Sequence, residues 1–184
     1  AGTAYGKQKK FTTLAIHDLT IEMEGEGSVS KEVVETKSKG YEEGTVVKLI
    51  ANPNEGWKFV EWKGDLTGTE NPVQLTMDEP KKVTAVFEKM SFTLNIETSG
   101  EGTVSREPDQ QEYEYGTIVE VVANSTGDWE FDYWDGDITG EANPITMTVD
   151  TNKSITAVFW NTVFAGGNGT EAHPYQISTL EQLQ

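Results

Sequence analysis

The sequence predicts an all-β protein: two tandem copies of one small module, five to six short strands each, followed by a C-terminal stub. Three observations predict it. Most of the chain is written twice. Tyr41-Glu42-Glu43-Gly44-Thr45-Val46-Val47 returns as Tyr113-Glu114-Tyr115-Gly116-Thr117-Ile118-Val119, and the register then holds without a gap to Thr84-Ala85-Val86-Phe87 and Thr156-Ala157-Val158-Phe159. Apolar residues alternate with polar ones, as in Val73, Leu75, Met77 and again in Ile145, Met147, Val149. That period of two marks strands with one dry face. No helical-period stretch of useful length interrupts either copy, and Gly, Asn-Pro and Gly-Asp punctuate the strands as turns require.

Each element follows in order. Residues 1–16 read as a leader or the end of a preceding module, because Lys9-Lys10-Phe11-Thr12-Thr13-Leu14 echoes Lys81-Lys82-Val83-Thr84-Ala85-Val86. Residues 17–89 are the first module and 90–160 the second, joined by a short linker around 88–91. Leu19 and Ile21 open one copy, Leu94 and Ile96 the other. Gly25-Glu26-Gly27-Ser28-Val29-Ser30 matches Gly100-Glu101-Gly102-Thr103-Val104-Ser105 after a three-residue length difference. Val47, Leu49, Ala51 and Val119, Val121, Ala123 make one inward stripe; Val83, Ala85, Phe87 and Ile155, Ala157, Phe159 make another. Between the stripes, Trp57-x-Phe59-x-x-Trp62-x-Gly64-Asp65 matches Trp129-x-Phe131-x-x-Trp134-x-Gly136-Asp137, and Asn71-Pro72 matches Asn143-Pro144. Such a set folds as a small sandwich or a strongly bent sheet. A module of about 75 residues without staples buries a modest core. Large aromatics contribute most to it, so Phe59, Phe87, Phe131 and Phe159 are the expected core, with Trp57 and Trp129.

Composition narrows function. The net charge is −17, from 31 acidic and 14 basic residues, with no basic cluster longer than Lys7-Gln8-Lys9-Lys10. Nucleic acid and anionic membrane need positive charge, so neither is an expected partner. The acids are scattered, as on a solvated surface. Cysteine is absent, which removes disulfides, thiol nucleophiles and Cys-type zinc sites together. No apolar run approaches the ~18 residues of a membrane span, and Ala1 to Lys10 lacks the apolar core of a signal peptide.

The repeated residues resemble the divergent internalin-B-type repeat of bacterial surface proteins. That pattern runs from a glycine-rich hairpin through Tyr-x-x-Gly-Thr-x-Val and Gly-aromatic-x-Phe-x-x-Trp-x-Gly to an alternating strand and Thr-Ala-x-Phe. It covers roughly residues 17–88 and 91–160. The second copy departs from it at Asp128, where the first has Gly56. The resemblance implies tandem β-modules that space or support other domains of an exported protein, with no catalytic residue to transfer. Related modules with a β-grasp-like topology keep that alternative to the sandwich open. Residues 161–184 differ. Gly166-Gly167-Asn168-Gly169-Thr170 with Pro174-Tyr175-x-Ile177 is similar to the opening of a right-handed parallel β-helix surface domain, which implies that a following domain starts there.

Three candidate chemistries compete. In plain strand geometry Trp129, Phe131 and Tyr133 share one face, while Glu130, Asp132 and Trp134 share the other. Two acids beside Trp134 make that face wet. An exposed Trp134 beside Asp132 and Asp135, with Trp62 in the first copy, is a sugar-stacking platform with hydrogen-bond acceptors. The competing reading has a bulge turn both indoles into the core. Asp135-Gly136-Asp137-Ile138-Thr139-Gly140 resembles part of a calcium loop, yet Thr146 stands where the bidentate acid is needed and Lys63 replaces Asp135 in the first copy. The competing reading has Asp65 and Asp137 bond backbone amides, and no metal or other cofactor is expected. For an enzyme, His17 and His173 lack motif partners, and no nucleophile, zinc or phosphate-loop motif occurs.

The expectation is a non-catalytic spacer or stalk of a bacterial secreted or cell-surface protein, adhesin-like and monomeric. Its partners are adjacent domains of the same polypeptide. The alternative is a module that binds a host or environmental glycan or protein through aromatics near Trp62 and Trp134.

Overall fold

A computed structural model describes residues 13, 15–33, 41–163, 170–171 and 173–174. The chain divides into two compact units, Ala1–Glu88 and Lys89–Gln184. The first contains β1 (Ile16–His17), β2 (Leu19–Glu24), β3 (Gly27–Val33), β4 (Tyr41–Glu42), β5 (Thr45–Pro53), β6 (Trp57–Gly64), β7 (Val73–Met77) and β8 (Lys81–Lys89). The second repeats the order: β9 (Ser91–Phe92), β10 (Leu94–Ser99), β11 (Gly102–Glu107), β12 (Tyr113–Glu114), β13 (Thr117–Ser125), β14 (Trp129–Gly136), β15 (Ile145–Val149) and β16 (Lys153–Asn161). Among the described residues there is no helix. Each module is therefore all-β, with six full strands and one two-residue pair.

Each module is two three-stranded sheets. In the first they run β2-β8-β6 and β3-β5-β7; in the second, β10-β16-β14 and β11-β13-β15. Between the bent sheet and the sandwich the structure chooses the sandwich, because the inward stripes of both sheets meet in one core. Val47, Leu49, Leu75 and Met77 from one sheet join Trp62, Val83, Ala85 and Phe87 from the other. The second module repeats this with Val119, Val121, Met147 and Val149 against Trp134, Ile155, Ala157 and Phe159. The first and last full strands of each module are parallel neighbours. β2 pairs β8 from Leu19↔Lys81 to Glu24↔Val86, and β10 pairs β16 from Leu94↔Lys153 to Ser99↔Val158.

The glycine-rich turn is where the chain leaves one sheet for the other. Gly25 adopts φ +81° with its α-carbon against the Phe87 carbonyl and the Trp57 ring, where a side chain has no room. Gly27 lies on the Phe87 ring itself: an added Cβ would stand 2.6 Å from Phe87 Cζ. Gly100 and Gly102 repeat both contacts on Phe159 and Trp129.

The core differs from expectation in one respect. Phe87 and Phe159 are buried, but Phe59, Phe131, Trp57 and Trp129 are only half-buried and pack against the core from its margin. They stand on β6 and β14, which are edge strands with a neighbour on one side only. The echo in residues 9–14 lies outside the described residues, apart from Thr13. So does most of the 161–184 segment on which the β-helix resemblance rests.

Candidate functional site

The second half of β14 decides the main question. The β14–β16 ladder runs Trp129↔Asn161, Glu130↔Trp160, Phe131↔Phe159, then Tyr133↔Val158 and Trp134↔Ala157. Asp132 is the extra residue of a bulge, so every later side chain changes face. Trp134 turns inward opposite Ala157, and Tyr133 turns outward opposite Val158. The sugar platform read from the sequence is thereby corrected. Trp62 is 1% exposed and Trp134 0%. Their rings pack at a tilt against Phe59 and Phe131, with centroids 5.2 and 5.1 Å apart, and, being buried, neither indole offers a face to a ligand. Asp132 is half-buried at the bulge and Asp135 exposed beyond it, on the face opposite Trp134.

The buried indoles staple the loop that follows. The Trp62 N–H donates to the Gly68 carbonyl at 2.8 Å, and its indole N–H to the Glu70 carbonyl at 3.0 Å. Trp134 does the same to Gly140 and Ala142, at 2.8 and 2.9 Å. A buried indole N–H requires such a partner. The loop ends on Asn71. Because Val73 pairs Leu49, a longer β7 would set residue 71 opposite Ala51. The Asn71 side-chain amide supplies that rung instead, accepting from the Ala51 N–H at 2.9 Å and donating to its carbonyl at 2.7 Å. Asn143 closes on Ala123 at 2.9 and 2.8 Å.

Asp65 and Asp137 have backbone work too. Each carboxylate accepts from a strand N–H, Lys82 or Ser154, at 2.7 Å, while the N–H of the same aspartate donates to that residue's carbonyl at 2.9 and 3.0 Å. Gly64 at φ +92° and Gly136 at +105° make the turn that closes this clamp. The run from Asp135 to Gly140 is a strand end and its clamp. Among the described residues no group of His, Asp and Glu is arranged to hold a metal.

At the turn between β7 and β8, Lys81 lies 2.6 Å from Asp78 and 2.9 Å from Glu79. The Asp78 hydrogen bond, with Glu79 adding to it, raises the Lys81 ammonium from 10.5 to about 12. In return Lys81 holds the Asp78 carboxyl below its ordinary 3.8. Lys153 does likewise to Asp150, 2.7 Å away. An open groove of about 660 Å³ lies between β10 and β11. Arg106 stretches along it, donating to the Leu94 carbonyl at 2.9 Å and to Asp109 at 2.7 Å, with its guanidinium over the Tyr113 ring. His17 pairs with Tyr41 in the β1–β4 ladder, and the exposed His173 donates its N–H to Thr170.

Nearly every residue shared by the two copies is thus consumed inside its own module. What differs is the outer face of the β2-β8-β6 type of sheet, which sequence reading passed over. In the first copy it is a lattice of ion pairs: Lys63 with Glu24 and Glu61, Lys58 with Glu88, Lys82 with Glu22. In the second, Tyr133 stands for Glu61, Trp160 for Glu88 and Asp135 for Lys63. The signal was present in the alignment of the copies, but only the strand faces reveal that these changes share one surface.

A class is defined by this arrangement: tandem, self-contained β-sandwich repeats whose shared residues build the scaffold. The chain belongs to the divergent InlB B-repeat domain family, whose profile matches residues 17–91 and again 92–163. Repeats of this family occur in bacterial surface or secreted proteins. No curated protein and no solved structure matches the chain.

Proposed function

We propose that the two modules are load-bearing spacers of a bacterial surface or secreted protein, holding neighbouring domains at a distance. The observation that carries this reading is the parallel pairing of the first and last full strands in each module. Tension enters a module at the start of β2 and leaves at the end of β8, which lie at opposite ends of one parallel ladder. Force then runs along the strands and loads all the rungs together, whereas an antiparallel pair loaded at one end opens rung by rung. Repetition supports the same role, since each added module lengthens the array by one self-sufficient unit. The covalent link is short, with β8 ending at Lys89 and β9 starting at Ser91.

Stretching the chain from its two ends tests this. Each module is expected to resist and then yield in one step, releasing about 200–250 Å for the ~75 residues unravelled. Two such steps support the reading. Gradual extension without a resisting step removes it.

A further inference from the structure

The two copies agree inside and disagree on one surface. In the first module the outer face of β2-β8-β6 carries Lys58, Lys63 and Lys82, and all three ammonium groups meet glutamates on that same face. In the second, the face of β10-β16-β14 carries Glu97, Glu130 and Asp135 and no lysine or arginine. Strand register fixes the layout. Glu130 is opposite Trp160, Tyr133 is opposite Val158, Asp135 is opposite Thr156, and Thr156 is opposite Glu97 on the far side. Val158 is buried on the same face, and Tyr133 and Trp160 are half-buried there. Among the described residues no cation reaches the three carboxylates.

The first copy therefore displays what this surface accommodates: ammonium groups set among carboxylates on the outer face of the sheet. The second copy keeps the carboxylates, loses the ammonium groups, and adds two aromatic rings. Aromatic faces attract cations, and carboxylates left without counter-charges attract them further.

We propose that the outer face of the second module's β10-β16-β14 sheet docks a basic segment of a partner protein. Its lysine or arginine side chains lie over Tyr133 and Trp160 and end on Glu97, Glu130 and Asp135. Charge complementarity selects this partner over a neutral glycan, which uses the rings but gains nothing from a surface stripped of cations. The site is independent of load bearing, because it uses outward side chains and not the backbone hydrogen bonds or core side chains on which that reading rests.

The test titrates the full chain with a labelled peptide of alternating lysine and serine, and in parallel with a neutral oligosaccharide of N-acetylglucosamine. The expected result is peptide binding with nuclear resonance shifts centred on the Trp160 indole. Trp160→Ala is expected to weaken binding about fivefold. Asp135→Lys, which installs the first copy's own residue and so preserves folding, is expected to weaken it about tenfold. Glu101→Lys, the same charge change on the exposed β10–β11 turn, should leave binding within about twofold. Equal weakening by Asp135→Lys and Glu101→Lys overturns the proposal, because it reports only long-range attraction to an acidic chain. Binding of the oligosaccharide in place of the peptide, or of neither, overturns it as well.

Discussion

Asn71 and Asn143 do work that a residue's type alone conceals. Each uses both ends of its amide to finish a strand ladder that its own backbone abandons at the following proline. Asn143→Ala would leave the Ala123 N–H and carbonyl without partners in a partly buried place. The expected loss is about 1–3 kcal/mol for each orphaned group, read from the urea midpoint; a loss below about 0.5 kcal/mol would remove this role. Lys81 makes a second prediction at this scale. Its ammonium is raised to about 12 by Asp78 and Glu79. The stability it adds is therefore complete below about pH 10.5 and fades as pH rises toward 12. Asp78 and Asp150, both lowered, add stability that is present above about pH 4 and fades as pH falls through their depressed values. Lys81→Met should flatten the alkaline limb of a melting-temperature profile between pH 10 and 12. An unchanged limb counts against the pair.

At the scale of elements, alternation was legible and its interruption was not. Val73, Leu75 and Met77 point inward just as their spacing requires, because a strand without irregularity keeps its parity. Applied to β14, the same rule set Trp134 among acids, and only the bulge at Asp132 reverses it. No residue type marks a bulge of this kind, so the sequence left the exposed platform and the buried staple as alternatives. The Gly-Glu-Gly turn was recognised as a turn, but not as the seat of Phe87, a contact made across sheets by residues 60 apart. Gly27→Ala tests that contact. With three Phe87 ring atoms within 2.6–2.7 Å of an added Cβ, it is expected to cost about 1–3 kcal/mol. A neutral effect on the melting temperature would show that the ring yields freely.

At the scale of the whole molecule, repetition was the most legible property and the faces were the least. Two copies with matched cores follow directly from two copies of sequence, since core positions are set by local pattern and by volume. Outer faces carry no such constraint, so their divergence has no pattern to recognise until strand register gathers Tyr133, Trp160 and Asp135 onto one surface. The same holds for the parallel β2–β8 pairing, on which the mechanical reading depends. It joins residues about 60 positions apart, and nothing in either strand's own sequence announces its partner.

That pairing is most directly tested by pulling one ladder in two directions. The chain has no cysteine, so paired cysteines can be placed at will. Thr20→Cys with Glu88→Cys loads β2 and β8 lengthwise from opposite ends; Thr20→Cys with Lys82→Cys, a cross-strand pair, peels them from one end. A rupture force several times higher in the first geometry is the predicted result, and equal forces in both would contradict the account.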